Sequence, residues 1–160
     1  MDDLDWSNYT TAVNITLTGT GTDGFAGTQS TINGGFTNID WITGSITGDT
    51  LYGLNSNATW HFDTTDTYIN DHTLTFIRYE ILMGGTGVDT FAFIGTATFE
   101  GTLNGGDGSD ILNTTAYLPN VTVNLAAGTI TGLIGGILIG LSFWWSVRHK
   151  KAEDALSGAD

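Results

Sequence analysis

Repetition is the feature that most constrains this chain. Residues 84–92, GGTGVDTFA, and 105–113, GGDGSDILN, share one pattern. Two glycines lead, a third follows two places on, then an aspartate, then a large apolar residue, Phe91 or Leu112. A second repetition needs no gaps: FTNIDWITGSITGDTLYG at 36–53 lies over FIRYEILMGGTGVDTFAF at 76–93. Phe36 falls on Phe76, Ile42 on Leu82, Gly44 on Gly84, Asp49 on Asp89 and Thr50 on Thr90. A third is looser. Leu4, Tyr9, Val13 and Leu17 are matched by Leu112, Tyr117, Val121 and Leu125. One such repeat cannot bury its own apolar face, so neighbours must stack on one another.

The residues between the glycine clusters read as short strands. VNITLTG, TLTFIRYEIL, DTFAFIG and VTVNLAAG alternate β-branched or aromatic residues with polar ones. Clusters of Gly, Asn and Asp interrupt them every ten residues or so. No helical period appears before residue 130. The predicted fold is mainly β: a β-solenoid-like or β-sandwich-like repeat domain plus one C-terminal transmembrane α-helix. A repeat 40 residues long would hold about two coils of a solenoid, or one layer of a sandwich. The expected division is 1–128 for the β-domain, 129–148 for the helix and 149–160 for a short cytoplasmic tail.

Charge narrows the function classes. Four Lys and Arg face 17 Asp and Glu, and Arg78 is the one base before residue 132. Such a surface cannot neutralise a run of phosphates, so nucleic acid is excluded as a partner. With no cysteine, disulfides, thiolate-bound zinc and thiol catalysis are excluded as well.

The two nonapeptides fit G-G-x-G-x-D-x-U-x and resemble the repeats-in-toxin family. Looser likenesses, such as NSNATWHF and VTVNLAAGTITG, extend over residues 4–132 towards the repeats of large bacterial surface proteins. The resemblance implies parallel β-rolls that bind calcium, a hard cation wanting six to eight oxygens. On this chain the implied ligands are Asp89, Asp107 and Asp110. Two departures stand out. Family sites are shared between turns 18 residues apart, whereas Asp89 and Asp110 are 21 apart. Ser45 and Thr47 also replace the glycines found at 85 and 87. The residues therefore leave two readings open: a calcium site, or tight turns in which each Asp caps its own backbone. Either way the turns are expected to be isolated half-sites.

From Ile130 to Val147 no residue is charged, a length near the lower end of the roughly 17–25 residues that span a bilayer. Trp144 and Trp145 have the character of interfacial aromatics, and Arg148, Lys150 and Lys151 that of cytoplasmic anchors. Gly132, Gly136 and Gly140 form a smooth stripe suited to close helix packing. The expected topology is single-pass, with the acidic repeats periplasmic or extracellular and the C-terminus cytoplasmic. MDDLDWSNYT has neither the basic start nor the apolar run of a signal peptide. A removed leader, missing upstream repeats, or translocation by the helix itself would each account for that.

Catalytic patterns are not evident. His61, His72 and His149 lack metal-ligand spacing, and no nucleophile elbow or phosphate loop occurs. The sequence thus predicts a non-catalytic protein with no small-molecule substrate. Its partners would be the lipid bilayer and other transmembrane helices of a larger complex. The alternative is a membrane-anchored adhesion module stiffened by calcium.

Overall fold

A computed structural model describes residues 1–119, and no helix occurs among them. They form two sheets of mixed direction, neither closed on itself. In spatial order the first sheet holds β1 (Asp3–Asp5), β5 (Trp41–Thr43), β9 (Thr73–Ile77), β8 (Thr67–Ile69), β7 (Ala58–Phe62), β11 (Asp89–Gly95) and β13 (Ile111–Tyr117). The second holds β12 (Thr102–Gly106), β10 (Ile81–Gly85), β6 (Thr50–Tyr52), β2 (Asn14–Thr20), β3 (Phe25–Gln29) and β4 (Phe36–Ile39).

The chain crosses from the first sheet to the second and back, laying each new strand beside an earlier one. In the second sheet Ile15 registers with Leu51, Leu51 with Leu82, and Leu82 with Leu103. The first three belong to one apolar core shared with Ile42, Trp60, Tyr68, Leu74 and Phe76 of the first sheet, and the partly buried Leu103 packs against it. Parallel registration also places like rings over one another. Trp60 stacks on Phe91 at 5.8 Å and Phe62 on Phe93 at 4.4 Å, contacts worth about 0.5–1.5 kcal/mol each beyond their burial.

Two antiparallel excursions interrupt the winding. β3 and β4 fold back beside β2 and extend the second sheet at one end. β7, β8 and β9 form a meander in the middle of the first. These insertions correct the expectation of about two coils in 40 residues. Corresponding corners of successive windings are 36, 31 and then 21 residues apart. The 40-residue repeat also joins opposite sheets: Phe36 lies in β4 of the second and Phe76 in β9 of the first. What that repeat preserves is the turn inside it.

The looser repeat fares differently. Leu4 in β1 and Leu112 in β13 lie in the same sheet, each packed against the core. Among the described residues no helix is long and apolar enough to cross a membrane. The stretch Ile130–Val147, its glycine stripe, Trp144, Trp145 and the basic cluster Arg148, Lys150 and Lys151 lie outside the described residues.

Candidate functional site

Three turns share a single construction. Gly44 to Asp49 leads from β5 to β6, Gly84 to Asp89 from β10 into β11, and Gly105 to Asp110 from β12 to β13. In each, the aspartate folds back over the leading glycine. A Cβ added at Gly44 or Gly84 would lie 2.5 Å from Oδ2 of Asp49 or Asp89, so only glycine leaves the carboxyl its place. Gly85, with φ of 144°, adds a backbone conformation that L side chains rarely adopt.

Asp49 is fully buried, and its Oδ1 accepts two hydrogen bonds. The Val13 N–H donates at 2.6 Å from the preceding winding, and the Ser45 hydroxyl donates at 2.7 Å from within the turn. The Asp49 N–H in turn donates to the Glu80 carboxylate of the next winding at 2.7 Å. A chain of carboxylate-to-amide ties therefore runs up this corner through Val13, Asp49 and Glu80. Hydrogen bonds to a charged acceptor contribute about 1.5–3 kcal/mol each. Asp49 Oδ2 has no partner.

The opposite corner holds Asp89 and Asp110. Contrary to the expectation of isolated half-sites, the two are adjacent: the Asp89 N–H donates to Asp110 Oδ1 at 3.0 Å. Here 21 residues make one winding, because residues 96–101 lengthen the link between β11 and β12. Asp89 is fully buried, yet both of its carboxylate oxygens lack a partner. Gly85 occupies the place that Ser45 fills in the first turn, so no hydroxyl is at hand. Burial, then the neighbouring Asp110, push the Asp89 carboxyl up to about 6; the Ala58 N–H opposes this without completing a hydrogen bond. A buried carboxyl in that position holds a proton or calls for a cation.

Asp107 does not join the pair. It is exposed, and its N–H donates to the Gly85 carbonyl at 2.8 Å. Among the described residues no three His, Asp or Glu side chains are grouped as a metal site. Asp89 and Asp110 would thus supply side-chain oxygens to a calcium ion, with carbonyls and water completing the shell.

No family model, curated protein or solved structure matches this chain.

Two open clefts border the corners. One, of about 490 Å³, is lined by Asn57, Thr59, Ile69, Asn70, Asp71 and Thr90 among others. The second, of about 210 Å³, gathers Asp66, Arg78, Glu80 and Glu100 over Phe76, Tyr79 and Phe99. Burial raises the Asp66 carboxyl above its ordinary range. His61 sits on β7, and His72 Nε2 lies 3.2 Å from the Gly21 carbonyl, at an edge to Phe25. Both are strand or packing residues. Tyr68 is pushed up to about 12 by burial, while its hydroxyl accepts the Leu54 N–H at 2.9 Å.

Sequence reasoning missed Ser45, Val13 and Glu80. Ser45 looked like an eroded glycine, although a hydroxyl four residues before an aspartate is a signal for a capped turn. The signal for Glu80 was an acid immediately before a strand, as Asp49 is immediately before β6.

Proposed function

We propose that this protein is a non-catalytic, membrane-anchored structural subunit. Its solenoid-like stack of acidic coils lies on the extracytoplasmic face, held there by the span Ile130–Val147. The stripe Gly132, Gly136 and Gly140 docks that span against other transmembrane helices of a larger complex. The basic end Arg148, Lys150 and Lys151 stays cytoplasmic.

The observation that carries this reading is how the acids are used. Asp49, Glu80 and Asp110 each accept a backbone N–H from the neighbouring winding. Side chains spent in this way build a scaffold rather than bind a substrate.

A second reading, a calcium-stabilised surface-binding module, is favoured by one detail: the unpartnered, buried carboxylate of Asp89 beside Asp110. Native size after mild-detergent extraction distinguishes the two. Co-migration with a large complex, lost on Gly136→Leu, is expected for the subunit. A small particle whose melting temperature climbs with millimolar calcium, and no longer does so in Asp89→Asn, would replace it with the second reading. Recovery without detergent would overturn both.

A further inference from the structure

Two asparagines lie in nearly the same local run, INGG at 32–35 and LNGG at 103–106. Every other asparagine of the chain precedes a residue with a side chain. Before a glycine, the next backbone nitrogen can reach the asparagine's amide carbon unhindered, because no Cβ crowds the approach. The fold treats the two runs in opposite ways.

Asn33 and Gly34 form the centre of the turn between β3 and β4, and both are exposed. The Gly35 N–H closes this turn on the Ile32 carbonyl with a long bond of 3.3 Å, and the Ile32 N–H donates to the Gln29 carbonyl at 3.0 Å. The Gly34 N–H takes part in neither. Gly34 has φ of 89°, which suits the third position of such a turn. A Cβ built there would meet nothing within 4 Å, so the Asn33–Gly34 peptide can swing without displacing a neighbour. Asn104 is held instead. It lies in β12, in register with Met83 of β10, with Gly106 beside Gly85. Its Oδ1 already accepts the Gly106 N–H at 2.9 Å, and the Asp110 carboxyl lies against Gly105. Ladder and carboxyl together keep that peptide extended.

We propose that Asn33 is a site of spontaneous covalent modification, cyclising through Gly34 to a succinimide that water opens, and that the sheet protects Asn104. The Gly34 nitrogen bonds to Cγ of Asn33. The Cγ–Nδ2 bond breaks, and ammonia leaves with the proton that the Gly34 nitrogen gives up. Water then adds to the ring at either carbonyl. Cleavage of the new N–Cγ bond restores the main chain with aspartate at position 33. Cleavage of the original peptide bond leaves isoaspartate, with the chain running through the former side chain. No electrons are gained or lost. Either product adds a negative charge, and isoaspartate also lengthens the turn by one methylene. That length falls beside a short ladder, since β4 registers with β3 only at Phe25 with Ile39 and Gly27 with Phe36. Neither step depends on a membrane or a partner.

Ageing the full-length protein in detergent and mildly alkaline buffer, with and without denaturant, tests this without any substitution. Mass spectrometry of chymotryptic peptides reads the replacement of amide by carboxyl at each asparagine, and chromatography separates isoaspartate from aspartate. In the folded protein Asn33 should convert at least about tenfold faster than Asn104, which reacts only through local opening of β12. In denaturant the two rates should become nearly equal, because the runs then differ only in Ile32 against Leu103. Absence of conversion at Asn33, equal rates in the folded protein, or a ratio that persists in denaturant would each overturn the proposal. Asn33→Gln should remove the fast phase, and its survival would be equally fatal.

Discussion

The turns Gly44–Asp49 and Gly84–Asp89 have the same spacing, the same glycine beneath the carboxyl and the same buried aspartate. All four residues between the glycine and the aspartate differ, and the first of them bears directly on the carboxyl. Ser45 gives Asp49 a hydroxyl, and Val13 adds an amide; Gly85 gives Asp89 neither. One carboxyl thus has one oxygen doubly bonded and the other unpartnered, whereas the second carboxyl has both oxygens unpartnered. The turn that looks degraded as a sequence motif is the better satisfied one in three dimensions. Matching a pattern and completing a site are separate achievements.

The contrast is open to attack by substitution. Asp49→Ala should do the most damage, destabilising by about 3 kcal/mol at pH 7, because the buried Val13 N–H and Ser45 hydroxyl lose their acceptor. Denaturant titration would measure it, and a loss below that of Asp89→Ala would erase the distinction.

Asp89→Asn comes next, and its sign depends on pH. The folded-state value of about 6 lies above the ordinary value of 3.8. The folded form therefore binds more protons between those values, and stability falls as pH rises through that window. Asn abolishes the slope, so the variant should be more stable than the parent by about 2–3 kcal/mol at pH 7 and no more stable at pH 3.5. Melts at the two pH values check this; a parallel offset would show that Asp89 does not titrate there. Millimolar calcium should narrow the gap at pH 7 if a cation completes the corner.

Ser45→Ala should cost about 1 kcal/mol, the net worth of one hydrogen bond, and should remove much of the difference between the turns. Thr47→Ala is the smallest. Thr47 is exposed, and the change should stay within about 0.5 kcal/mol. A larger loss on melting would mean that Thr47 also supports the joint.

Much of the strand layout was legible. DTFAFIG became β11 and VNITLTG overlaps β2, because alternation is imposed directly by a sheet with one buried face. TLTFIRYEIL instead divides at residues 78–80 into β9 and β10 of opposite sheets. The winding length was not legible. The 40-residue match reflects a shared corner, and corners obey local backbone chemistry whichever sheet they serve. The meander of β7, β8 and β9 breaks the period, and nothing in its composition distinguishes antiparallel pairs from parallel ones. The pairing of Asp89 with Asp110 depended on that winding length and was hidden with it. The aspartates and glycines of the corners were found from the sequence; Ser45, Val13 and Glu80, which decide the state of one corner, were not.

Strand order also determines how the molecule would yield to a pull on its C-terminal side. β13 and β12 lie at the described edges of their sheets; once they leave, β11 and then β10 become edges in turn. Each can peel away bond by bond at low force. β9 cannot, because β5 flanks it on one side and β8 on the other. The central meander is thus a mechanical stop, where unzipping must give way to the simultaneous rupture of two ladders.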